Sequence, residues 1–89
     1  MANLPSSTAI ARTPAQIGAA IRRARKQRNL TQVQLGQLVA LRQAKISEIE
    51  NGTPGTALTT LCDVLAALDM DLLLQPRDSR VGANIEDVF

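Results

Sequence analysis

Histidine is absent from the 89 residues, as are tryptophan and tyrosine, and Phe89 is the single aromatic side chain. Without histidine the chain lacks the group most often used for proton transfer near neutral pH and for binding metals. Its one cysteine, Cys62, rules out an internal disulfide and suits a reducing compartment. Asp63, Asp69, Asp71 and Asp78 are scattered without the order of a metal loop, and no two carboxylates fall on elements expected to converge. These gaps argue against an enzyme and against a metal or other cofactor. No stretch reaches the ~20 apolar residues of a membrane span. Met1 to Thr8 has neither the charged start nor the apolar run of a signal peptide. A cytoplasmic protein with no membrane contact is the expectation.

Acidic residues are missing from the first half. All eight lie from Glu48 onward, whereas eight of the ten basic residues (Arg12, Arg22, Arg23, Arg25, Lys26, Arg28, Arg42 and Lys45) precede it. The net charge of +2 hides this asymmetry. A basic first half suits a polyanion.

What is abundant is aliphatic. Hydrophobic residues make up 45% of the chain, nearly all Ala, Leu, Ile and Val, which favours an all-α fold over a sandwich. A chain this short forms one domain with a core near the marginal size, where a second copy helps. The expected division is a flexible arm over 1–12, a helical domain over 13–69, a strand over 70–76 and a flexible tail over 77–89. Ile85, Val88 and Phe89 in that tail are a candidate docking peptide.

Thr13-Pro14-Ala15-Gln16 predicts a helix start, with Thr13 as cap, Pro14 at the first position and Gln16 completing a capping box. This helix runs to about Gln27, with Ile17, Ala20, Ile21, Ala24 and Arg28 on one stripe. Arg25 lies at the stripe's edge, so its guanidinium needs an acidic partner. Thr31 and Gln34 form a second capping box, followed by a helix whose buried face is Leu35, Leu38 and Val39. Gly36 costs about 1 kcal/mol relative to Ala in mid-helix, which predicts another helix crossing close by. A third helix runs from about Gln43 to the Asn51-Gly52 cap, with Ile46 and Ile49 inward. After the loop Thr53-Pro54-Gly55-Thr56, a fourth helix spans about Ala57 to Leu68. Its stripe of Leu58, Leu61, Cys62 and Leu65, widened by Val64 and Leu68, predicts Cys62 as a small buried hydrophobe. So broad a surface suits both the core and another chain.

Met70-Asp71-Leu72-Leu73-Leu74-Gln75, closed by Pro76, alternates apolar residues at Met70, Leu72 and Leu74 and reads as one short strand. A lone strand needs a partner ladder, and the chain offers no other candidate. The simplest solution is the same strand of a second copy, antiparallel about a two-fold axis, with Leu65, Leu68, Met70, Leu72, Leu73 and Leu74 at the dimer interface. Continuation of helix 4, or a fifth helix, is the alternative.

Over Thr31 to Gly52 the chain resembles the Xre/Cro-type helix-turn-helix family. The matching residues are Leu30, Thr31, Gln32, Leu35, Gly36, Val39, Leu41, Gln43, Ile46, Ser47, Ile49, Glu50 and Gly52. It departs at Ala40, where the family usually has glycine, and at Arg42, where it usually has a capping Ser or Thr. A closer resemblance is to the HipB-type antitoxins, carried by the P-x-Q start of helix 1, the R-Q-A-x-I-S segment, T-x-L-T-T opening helix 4 and the strand at Met70 to Gln75. The resemblance implies a bundle of about four helices plus a C-terminal strand, a homodimer paired through that strand, repression of its own operon, and binding of a HipA-type Ser/Thr kinase toxin. It also implies palindromic half-sites in double-stranded operator DNA, and a structural ion pair between Arg25 and Glu50. A free-standing Xre-type repressor without a toxin, and a protein-only interaction module, are the competing functions.

A recognition helix enters the major groove amino end first. Gln43 can pair bidentately with an adenine edge, Arg42 or Lys45 can donate to guanine or a phosphate, and Ala44 can touch a thymine methyl. Ser47 lies one turn on, and Gln32 matches the family position that contacts a phosphate.

Overall fold

In a computed structural model, which describes residues 8–77, the chain folds into four helices: α1 Pro14–Gln27, α2 Gln32–Val39, α3 Gln43–Glu50 and α4 Leu58–Ala67. Helix α3 packs against α1 and α2, and α4 packs against α2. Ile21, Leu35, Ile46, Ile49, Val64, Leu65 and Leu68 make the core. Ile17, Leu30, Val39, Leu41 and Met70 close over it.

The helix starts follow their side chains. Thr13 accepts from the Gln16 N–H at 3.1 Å. Gln16 does not complete a box at Thr13; its carbonyl instead accepts from the Arg12 N–H, one residue earlier. The box at α2 is complete, with Gln34 N–H donating to Thr31 Oγ1 at 3.0 Å and Thr31 N–H donating to Gln34 Oε1 at 2.8 Å. Arg42 caps α3 without any side-chain bond.

All four helices stop in the same way. Asn29, Ala40, Gly52 and Asp69 each take a left-handed conformation, with φ of 58°, 59°, 75° and 56°. The residue after each sends its N–H back five positions: Leu30 to Arg25, Leu41 to Gly36, Thr53 to Glu48 and Met70 to Leu65. This closure satisfies carbonyls that a helix end leaves free. In three of the four, the residue making the bond is apolar and tucks onto the core. The turn between α2 and α3 is thus built by Ala40 at a position where a side chain costs about 1–2 kcal/mol.

Two glycines decide how close the helices come. A Cβ on Gly18 would collide with the carbonyls of Ile49 and Glu50, so α1 crosses the end of α3 backbone to backbone. A Cβ on Gly36 would strike the carbonyl of Leu41. The close neighbour there is the turn leading into α3 rather than another helix's backbone.

Several apolar residues lie elsewhere than expected. Leu38 and Leu58 are exposed, and so are Cys62 and Arg28. The faces of α1 and α2 are rotated toward Gly18 and Gly36, which places Leu38 on the outer side and leaves Arg28 past the core. Cys62 falls about 100° around α4 from Leu61, off the face formed by Leu61, Val64, Leu65 and Leu68. Helix α4 is one residue shorter at each end than expected, with Ala57 and Leu68 as its caps.

Leu65 and Leu68 are buried in the chain's own core, not offered at its surface. Beyond Met70 the single chain forms no strand and no fifth helix among the described residues. Residues 71–77 make no backbone hydrogen bond to another described residue, and Leu72, Leu73 and Leu74 are exposed. The docking peptide expected around Ile85, Val88 and Phe89 lies outside the described residues. So does most of the 1–12 arm.

Candidate nucleic-acid interface

The two helix starts of α2 and α3 lie side by side on one surface, and polar side chains join them. Gln43 Nε2, at the first position of α3, donates to Gln32 Oε1, at the first position of α2. Gln32 Nε2 in turn donates to Glu50 Oε1 at 3.1 Å. Glu50 is buried at the last position of α3, where Arg25 Nε meets Oε2 at 2.6 Å and Nη2 meets Oε1 at 3.0 Å. Arg25 Nη1 also donates to the Leu30 carbonyl at 2.8 Å. One continuous chain of hydrogen bonds therefore runs from a buried ion pair to an exposed glutamine.

Burial pushes the Glu50 carboxyl up, but hydrogen bonds from Arg25 and Gln32, with the charges of Arg25 and Arg22, more than reverse this and hold it below its ordinary value. For Arg25 the bond to Glu50 dominates and raises its affinity for the proton, against the opposing effect of burial. Both groups stay charged. A buried pair of this kind is sound only when its remaining donors and acceptors are also met, as they are by Leu30 and Gln32.

Around this chain, Arg42, Gln43 and Ala44 are exposed, while Lys45 and Ser47 are half-buried. Lys45 lies 3.7 Å from Glu48 in a loose pair, and Asn51 Nδ2 approaches Ser47 Oγ at 3.5 Å. The first two turns of α3 thus present cations, an amide, a methyl and a hydroxyl, with no carboxylate before Glu48. On the outer side of α1, Arg22, Arg23 and Lys26 line a shallow groove that reaches Glu50. Among the described residues, no group of three or more metal-binding side chains clusters, and no helix is long and apolar enough to cross a membrane.

Sequence reasoning did not find the bond from Gln32 to Glu50 or the role of Gly18. The signal for Gly18 was available, since a glycine amid helix formers is the same oddity that singled out Gly36. For the Gln32 contact there was none, because it joins residues 18 apart on different helices.

The helix-turn-helix domain family matches residues 16–75. The chain is 34% identical over 62 residues to antitoxin HipB of Escherichia coli K12, a match covering 70% of each chain. It is equally similar to antitoxin HipB of E. coli O6:H1, where the match spans 66% of the relative's length. Among solved structures, a HipB-O4 20mer complex superposes with a TM-score of 0.73 at 30% identity, covering 80% of this chain and all of that one. A HipA-HipB-O2-O3 complex does so with a TM-score of 0.72, at the same identity and coverage.

Proposed function

The chain belongs to the Xre-type helix-turn-helix family and is HipB-like within it, and on that premise we propose that it is a sequence-specific DNA-binding repressor with α3 as its reading helix. The observation that carries this is the pairing of two exposed helix starts through Gln43 and Gln32. Gln43, with Arg42, Ala44, Lys45 and Ser47, faces base edges in the major groove. Gln32 and the amino end of α2 hold a phosphate of the flanking backbone. Arg25 and Glu50 fasten the reading helix to α1.

The protein acts as a homodimer on palindromic half-sites. Residues 71–75 carry exposed leucines and make no backbone hydrogen bond to another described residue, and a second copy of the same segment pairs with them as an antiparallel ladder. Met70, Leu72, Leu73 and Leu74 form that contact. As an antitoxin the dimer represses its own operon and holds a HipA-type Ser/Thr kinase toxin. The similarity to a HipA-HipB-O2-O3 complex supports this part of the reading.

Selection of a randomised duplex library by the purified protein, followed by titration of the enriched duplex at increasing salt, tests the proposal. A palindromic site bound with affinity that falls steeply with salt is expected, as phosphate contacts release counterions. A protein-only interaction module enriches no sequence. Co-expression with a neighbouring kinase-toxin reading frame tests the partner: a stable complex and loss of toxicity are the expected results, and independent behaviour of the two proteins removes the antitoxin role.

A further inference from the structure

Leu74 is 91% exposed, the most of any large apolar side chain among the described residues. Four positions earlier the chain is fixed. The Met70 N–H donates to the Leu65 carbonyl at 2.8 Å, and the Met70 side chain packs against the core. Met70 is also one wall of a half-enclosed hollow beside α1. Ala9, from the segment before α1, and Ala20 and Ala24, one turn apart on α1, add short methyl groups to its lining. Exposed Arg23 and Gln27 border it on the polar side. Three stretches of chain thus enclose an apolar space at the point where the exposed leucines begin.

We infer that this hollow seats Leu74 of a second copy, so that α1 and the segment before it hold the dimer together with the 70–75 segment. The inference rests on the paired segment proposed above and deepens it. Two copies of one strand that pair antiparallel are related by a two-fold axis perpendicular to their sheet, which keeps every residue on its own face. Residues directly opposite each other share a face, so the axis passes through a residue and not between two. Centred on Leu72, the ladder matches all three apolar residues of the alternating face. Leu72 meets its own copy, and the partner's Leu74 stands opposite Met70. Opposite side chains start about 4.5–5.5 Å apart, so the partner's Leu74 reaches the hollow that Met70 walls. Ala20 and Ala24 leave room there that a longer side chain would fill. Centring on Leu73 sets Leu74 against Leu72 instead and leaves the hollow without a leucine.

Thiol crosslinking tests the seat in a Cys62→Ser background, which removes the chain's one other thiol. Ala20→Cys and Leu74→Cys are made in separate chains, mixed to exchange subunits, and treated with a short bis-maleimide. A covalent dimer holding one chain of each kind is expected, since these two thiols can meet only across the interface. Leu72→Cys alone is expected to form a disulfide with its own copy on mild oxidation, and Leu73→Cys much less. Sedimentation equilibrium of Ala20→Gln reads the energetic side, because the longer side chain occupies the seat from a half-buried helix position. The dimer dissociation constant should rise by about a hundredfold, tenfold for each of the two seats. If Ala20→Gln does not melt cooperatively, the crosslinks decide. A wild-type dimer that gives no mixed covalent product, joins through Leu73 and not Leu72, or stays as tight in folded Ala20→Gln overturns the seat while the paired segment stands. A monomeric wild type overturns both.

Discussion

Arg25 and Glu50, 25 positions apart in the chain, meet side-on inside the fold, with Nε and Nη2 of the guanidinium each on its own carboxylate oxygen. The pair joins the last turn of α1 to the last turn of α3, beside the crossing that Gly18 permits. Arg25 is 7% exposed and Glu50 6%. Glu50→Ala strands a buried guanidinium, so it is expected to lower unfolding free energy by about 3–5 kcal/mol. Urea titration followed by circular dichroism measures this, and an unmoved midpoint means the pair holds nothing together.

The same pair makes stability depend on pH in a definite direction. The folded-state pKa of Glu50 lies below its ordinary value of 4.5, so on acidification the unfolded chain takes up this proton first. Between the ordinary value and the lower folded one, the unfolded state holds more protons, and stability rises with pH. The contribution is complete above the ordinary carboxylate range and is lost as pH falls through the folded pKa. Melting temperature of the wild type should therefore drop on acidification below about pH 5. Glu50→Gln should lack part of that slope, and two parallel profiles would contradict the assignment.

The turn before α3 carries stored strain at Ala40, with φ of 59°. Ala40→Gly relieves about 1–2 kcal/mol of it and gives back about 0.4–1 kcal/mol through the freer unfolded chain. A net gain of up to about 1.6 kcal/mol should appear as a higher melting temperature. Gly18→Ala runs the other way. Its better helix propensity is worth about 1 kcal/mol, but the new methyl meets two backbone carbonyls that cannot rotate aside, and a net loss of about 1–3 kcal/mol is expected.

Assembly is tested at the exposed leucines. Leu72→Lys with Leu74→Lys places two cations where the proposed ladder brings two copies together. Light scattering should report a dimer for the wild type and a monomer for the double variant, with thermal unfolding of the helical core largely retained. A wild-type monomer at micromolar concentration would falsify the paired segment.

Where the sequence reading held and where it slipped have a common physical source. Thr31 with Gln34, and Thr13 with Gln16, announce helix starts through bonds spanning three residues, so local chemistry is enough. Ile21, Leu35, Ile46 and Ile49 announce the core through their spacing. Leu38 misleads because a hydrophobic stripe is drawn through large side chains and passes over glycine. The buried faces of α1 and α2 are centred toward Gly18 and Gly36, the places where backbones meet, and the apolar residues on the far edge are left outside. Leu58 and Cys62 mislead for a related reason. A helix of 10 residues packed chiefly against α2 buries a narrow strip, and the apolar pattern of α4 is wider than that strip. The chain of hydrogen bonds through Gln32 was not legible, since nothing in spacing along the chain says which amides will meet across a turn.

The tight seating of α3 has a consequence for how readily this protein could be given a new target. Inward, the helix is held by Ile46, Ile49 and Glu50, and its neighbours' backbones come close at Gly18 and Gly36. Arg42, Gln43 and Ala44 are exposed, and Lys45 and Ser47 are half-buried. The five positions proposed to read DNA thus lie largely outside the contacts that seat α3, and a library varied at them should yield folded proteins on one unchanged core.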